Sequence, residues 1–195
     1  MLTTEVFNKL QSIWEQGEHH DAVITERAQK NLFITPDTGR FLYQLLRHAN
    51  PRRVLEIGTS NGYSTLWLAL ALRDRAGMIT SLDILPAKQQ QAAAHLQEFA
   101  LDHKVQLRCE DAGDYLLAEA DSGIDLVFLD ADRSRYAGYW PALCRVLRPG
   151  GLIVVDNVLS HPTECVEFIR LVLATEGYLA ETYQIGKGQF VIVKD

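Results

Sequence analysis

The chain has 195 residues, of which 47% are hydrophobic and 23% charged. That balance and length suit one hydrophobic core and exclude a disordered tail, a collagen-like fibre and a disulfide-stapled miniprotein. Nineteen Lys and Arg against 25 Asp and Glu give a net charge of −6, which disfavours nucleic acid as a partner, because a phosphate backbone rewards net basic surfaces.

The three cysteines, Cys109, Cys144 and Cys165, form no close pair and suit the reduced thiols of a cytoplasmic protein. The opening MLTTEVFNKL lacks the basic-then-apolar order of an export signal. No run approaches the roughly 18 apolar residues of a membrane span, so a cytoplasmic protein without membrane contact is expected.

In chain order, residues 2–14 and 36–48 have helical patterning, and Thr35-Pro36-Asp37 makes a good helix start. Residues 53–58 (RVLEIG) form a short apolar run closed by glycine, the pattern of a buried strand. A helix is expected over 64–73, a strand over 78–84, a helix over 87–100 behind Pro86, and a third strand over 104–109. Residues 124–130 (IDLVFLD) and 152–156 (LIVVD), the latter after the turn Pro149-Gly150-Gly151, complete five strands. Strands this apolar need helices on both faces, as in a parallel sheet. Residues 179–184 and 189–193, joined by Ile185-Gly186-Lys187-Gly188, predict a terminal antiparallel hairpin. The expected organisation is one α/β domain over 1–195, with a helical extension over 1–50 and the core over 51–195.

Ligands of open parallel sheets bind beyond the carboxyl ends of the strands. The first strand ends in Glu56-Ile57-Gly58-Thr59-Ser60-Asn61-Gly62-Tyr63-Ser64. Its two glycines allow a tight turn and close approach of a ligand to the backbone. Ser60 occupies the second glycine of a dinucleotide fingerprint, and no Gly-Lys-Ser/Thr follows, so a dehydrogenase or phosphate loop is disfavoured. A plain strand-to-helix turn is the alternative. Asp83 ends the second strand, where a carboxylate can hold a ribose diol or simply start a helix. Glu110-Asp111-Ala112 ends the third, where an acid can receive an adenine amino group or cap a helix. Asp130, Asp156 and Asn157 end the fourth and fifth. Together they offer hard oxygen donors suited to Mg²⁺, although strand-end Asp and Asn also cap turns.

The segments VLEIGTSNGYSTLWLA, ITSLDILP, EDAGDYL, IDLVFLDADRSRYAGYW and LRPGGLIVVDNVL resemble the cation-dependent, S-adenosylmethionine-dependent O-methyltransferases, the group of catechol and caffeoyl-CoA O-methyltransferases. They occur in the family's order over roughly residue 33 to the C-terminus. The resemblance implies a Rossmann-like class I methyltransferase fold: a seven-stranded, mainly parallel sheet with an antiparallel last strand and helices on both faces. It implies S-adenosyl-L-methionine held by Glu56, Gly58, Ser60, Gly62, Ser64, Asp83, Asp111, Ala112 and Asp130. It also implies Mg²⁺, with Mn²⁺ or Ca²⁺ as alternatives, on Asp130, Asp156 and Asn157, and a small catechol-like or hydroxylated aromatic acceptor. By the same resemblance, residues 1–35 close over the acceptor site or pack on a second subunit, giving a homodimer.

Three departures stand out. Arg133 replaces the family's lysine base, and arginine stays protonated. Arg133 can stabilise a phenolate, which leaves His161 as the candidate base. The stretch between Asn157 and the hairpin is short, and Lys187 stands where relatives commonly carry aspartate. A tRNA hydroxyuridine acceptor, favoured if Arg133 and Arg135 form a basic patch, and a catalytically silent S-adenosylmethionine-binding protein are the alternatives. Trp67, Leu68 and Leu72 read as core. Tyr136, Tyr139 and Trp140 read as sheet packing or an acceptor contact, and His19 and His20 as solvated.

Overall fold

The computed structural model describes residues 2–195. Seven strands, β1 (Arg53–Ile57), β2 (Met78–Asp83), β3 (Val105–Cys109), β4 (Ile124–Leu129), β5 (Leu147–Val155), β6 (Tyr178–Tyr183) and β7 (Gln189–Lys194), form one sheet. Their order is β3-β2-β1-β4-β5-β7-β6. Neighbours from β3 to β5 pair in parallel, and β7 runs antiparallel to both β5 and β6. This is the expected sheet, including the antiparallel last strand.

Alternation along the strands divides the core in two. Leu55, Ile57, Val127, Leu129, Ile153 and Val155 face α5 (Ala112–Ala118), α6 (Tyr136–Val146) and α7 (Pro162–Leu173). Val54, Ile79, Leu126, Phe128 and Val154 face α1 (Thr4–Val23), α2 (Pro36–Ala49), α3 (Tyr63–Leu72) and α4 (Pro86–Glu98). Every residue of α3 is buried. A helix that is apolar all round needs cover all round, and α1 and α2 supply it on the side away from the sheet. Gly39 of α2 meets the Trp67 ring so closely that a Cβ there would overlap the indole.

Several boundaries differ from expectation. The first helix continues through the polar GEHHD stretch to Val23, so His19 and His20 are exposed on its last turns. His20 is not merely solvated, because Asn31 Nδ2 lies 3.2 Å from its Nδ1. β5 starts at Leu147, ahead of the Pro-Gly-Gly turn, and a register shift between Ile124 and Leu126 of β4 absorbs the extra residues. Helices α5, α6 and α7 follow strands without a strong sequence signal. Pro141 lies inside α6 and masks it. The N-cap Asp111 of α5 and Pro162 in the first turn of α7 are their start marks.

Candidate active site

Register alone assembles the site. Leu82, Ile57, Leu129 and Val155 stand side by side in β2, β1, β4 and β5. The next residue of each strand is therefore also in a row: Asp83, Gly58, Asp130 and Asp156. Backbone bonds continue the ladder into this row, from Gly58 N–H to Leu82 O at 2.9 Å, Asp130 N–H to Ile57 O at 3.0 Å and Asp156 N–H to Leu129 O at 3.2 Å. Across the antiparallel pair Phe190 opposes Val155. Gln189 thus reaches the row from the other side, and its Nε2 donates to Asp156 Oδ1.

Above the row lies a cavity of about 770 Å³, a size suited to a small-molecule ligand. One end carries Asp83, Glu110, Ala112 and Tyr139, and the other carries Asp130, Asn157, Arg133, His161 and Lys187. Gly58, Ser60 and Ser64 line it between them, and residues from Arg27 to Ile34 form a wall of their own.

The glycine loop is built for close approach. Gly58 has φ +106°, and a Cβ there would overlap the Asp130 carbonyl oxygen. Ser60, with φ 44°, adopts a left-handed conformation that an L residue enters only when held. Its N–H donates to Asp83 Oδ2 at 2.8 Å and its hydroxyl to Asn31 O at 2.7 Å. Asp83 Oδ1 also accepts from Leu85 N–H at 2.9 Å, so the carboxylate is fixed in orientation while each oxygen keeps a lone pair for a ligand.

Four of the expected binding residues do not line the cavity. Glu56 points to the face beneath the loop, is fully buried, and accepts from Ser64 Oγ at 2.6 Å, Thr65 Oγ1 at 2.6 Å and Ser81 Oγ at 2.5 Å. Burial nonetheless pushes its carboxyl up to about 7. Gly62 (φ +84°) is the N-cap of α3 and packs against Ala92. Asp111 caps α5 and pairs with Arg135 at 2.6 Å, which holds its carboxyl below the ordinary range. Its neighbours Glu110 and Ala112 form the wall instead. Asp156 is buried, at 1% exposure, and accepts from Gln189.

Asp130, Asp156 and Asn157 do converge. Asn157 Nδ2 donates to Asp130 Oδ1 at 2.7 Å. Asp156 Oδ2 is buried and has no hydrogen-bond partner among the described residues. Both carboxyls are pushed up chiefly by burial, Asp130 also by the neighbouring Asp156 charge, while Lys187 and Arg133 pull both down. Arg133 is buried, with Nε donating to Glu164 Oε2 at 2.8 Å. His161 caps α7, and its Nδ1 lies 2.9 Å from Ser160 Oγ. Because Arg133 and Arg135 are each matched by an acid, they do not make the basic patch that an RNA acceptor needs. Tyr139 reaches the cavity, whereas Tyr136 and Trp140 pack edge-on against Phe168.

Glu164 and the 27–34 wall carry no motif. Their only sequence signals are the Glu two residues into a Pro-started helix and a polar stretch leading to a helix start.

Residues 17–167 match the family model described as O-methyltransferase. A catechol O-methyltransferase of Niastella koreensis is 36% identical over 139 residues, covering 70% of this chain and 62% of the relative. A catechol O-methyltransferase of Mycobacterium tuberculosis is 36% identical over 126 residues, covering 65% of this chain and 57% of the relative. The chain thus spans about three fifths of the length of these curated relatives. Among solved structures, cofactor-bound Rv0187 from MTB superposes with a TM-score of 0.78 at 26% identity, covering 92% of this chain and 89% of that one. The Bacillus cereus O-methyltransferase in complex with SAH gives 0.80 at 24% identity, covering 96% and 91%, and shares the fold. The matched stretch contains the glycine loop, Asp83, Asp130, Asp156 and Asn157 on their adjacent strands, and on that ground the chain belongs to the O-methyltransferase family.

Proposed function

We propose that this chain transfers a methyl group from S-adenosyl-L-methionine to a hydroxyl of a small catechol-like or hydroxylated aromatic acceptor, with a divalent cation at the acceptor end. The observation that carries the reading is the single cavity joining Asp83 and the Gly58 loop at one end to Asp130 and Asn157 at the other.

At the cofactor end, Asp83 accepts from the ribose hydroxyls. Gly58 lets the ligand lie against the backbone, and Glu110 and Ala112 border the adenine. Glu56 acts at one remove, by orienting Ser64 and the start of α3. The donor sulfonium is already a good electrophile, so the protein's main task is alignment.

At the acceptor end the residues fit a divalent cation. Two carboxylates and an amide oxygen are hard donors, and the buried Asp156 Oδ2 is an acceptor left without a hydrogen-bond partner among the described residues. Asp130, Asp156 and Asn157 would hold Mg²⁺, Mn²⁺ or Ca²⁺, which when bound acidifies the acceptor hydroxyl. Arg133, fixed by Glu164, presents a permanent positive charge to the developing phenolate. His161, with Nδ1 engaged by Ser160, offers Nε2 to receive the hydroxyl proton.

The test is transfer of labelled methyl from S-adenosylmethionine to a panel of diphenols, with and without Mg²⁺. Metal-dependent methylated product is expected. Tight cofactor binding with no product on any diphenol would overturn the acceptor assignment.

A further inference from the structure

The acceptor end contains a charge that the proposed chemistry does not use. Lys187 sits at the tip of the β6–β7 turn between Gly186 and Gly188, and it lines the cavity together with Asp130 and Asn157. The turn is clamped. Leu159 N–H and Ser160 N–H both donate to Lys187 O at 3.1 Å, and Val158 N–H donates to Gly188 O at 3.2 Å. These donors belong to the loop that immediately follows Asn157. On the other side, a Cβ on Gly186 would overlap the Thr35 and Thr38 hydroxyls. Two residues on, Gln189 holds Asp156. The lysine is therefore carried at the acidic pair's end of the cavity by the same backbone that holds the pair's own loop.

Its ammonium has three donors, and its one hydrogen bond is to Phe33 O at 3.3 Å. Arg133, which also acts on both carboxylates, is already matched by Glu164. Two carboxylates taken out of water next to one another are unfavourable without a positive charge, and Lys187 lines the same cavity as Asp130.

We propose that the Lys187 ammonium is a built-in counter-ion for the Asp130–Asp156 pair, competing with a divalent cation for the same two carboxylates and so setting how tightly the site holds metal. This rests on the metal-assisted reading above. A site of this kind is stable when empty of metal and binds the ion weakly, because each ion bound must overcome the lysine's repulsion.

The experiment is calorimetric titration of the full chain with Mn²⁺, together with thermal unfolding in chelator, for the wild type and for Lys187→Gln, Lys187→Arg and Lys187→Gln/Asp156→Asn. Lys187→Gln is expected to bind Mn²⁺ at least about tenfold more tightly than wild type. It is also expected to unfold at a lower temperature in chelator and to recover on adding Mn²⁺. Lys187→Arg should bind as the wild type does, and the double variant should lose the gain. Mn²⁺ affinity in Lys187→Gln equal to or weaker than wild type would overturn the proposal, whatever its unfolding temperature. SAH affinity measured on the same samples separates the two readings: its absence would remove the methyltransferase assignment without bearing on the lysine.

Discussion

Gly58 and Asp130 touch through their backbones: the carbonyl of Asp130 occupies the space where a side chain on Gly58 would begin. The end of β1 and the end of β4 are thereby pressed together under the cavity. Gly58→Ala would have to move one strand end and hold alanine at φ +106°, a strain costing about 2 kcal/mol or more. Denaturant unfolding should show that loss, and calorimetry should show a weakened response to S-adenosylmethionine.

Asp83 has two tasks, and its removal should reveal both. Asp83→Ala deletes the expected ribose acceptor and the anchor of the strained Ser60. Cofactor affinity should fall by about 1–3 kcal/mol, the range for leaving hydrogen-bonding partners unsatisfied. Asp83→Asn keeps one acceptor oxygen and should fall between. Unchanged affinity in Asp83→Ala would remove the ribose role.

Glu56 makes stability depend on pH. Its carboxyl titrates at 4.5 when unfolded and is pushed to about 7 in the fold by burial. The folded state therefore binds more protons between those values. By linkage, the contribution of Glu56 is greatest below pH 4.5, declines as pH rises through the window and is fully lost above about pH 7. The span is on the order of a few kcal/mol. Comparing unfolding free energies at pH 5.5 and pH 8 should show a smaller decline for Glu56→Gln than for wild type; equal declines would place the titration elsewhere.

Arg133 should matter for rate more than for binding. Arg133→Met removes the fixed positive charge beside Asp130 and leaves the cofactor end untouched. A loss of about 100-fold in kcat is expected if Arg133 stabilises developing negative charge, with cofactor affinity unchanged. Arg133→Lys tests whether a titratable amine serves there; it should exceed Arg133→Met and, without the Glu164 contact made by Nε, remain below wild type.

The fold was legible because β1, β2, β4 and β5 are short runs closed by Gly or Asp, and because a glycine-bracketed turn marks the hairpin. Helices α5, α6 and α7 were not, because Pro141 breaks the pattern of one and α5 is only seven residues long. Among site residues, those at strand ends were placed by strand order alone. Glu56 and Asp156 stand at the expected strand ends but do not line the cavity, since strand alternation sends Glu56 beneath the loop and Asp156 is buried against Gln189. Glu164 and the 27–34 wall act through tertiary packing, which no local pattern encodes.

The row formed by Asp83, Gly58, Asp130 and Asp156 also works as a ruler. Its marks are set by the spacing of hydrogen-bonded strands, ~4.8 Å each, so three intervals separate the Asp83 end from the Asp156 end by ~14 Å. Side-chain substitutions can change what is gripped at either end. They cannot change the span between the grips, which belongs to the backbone.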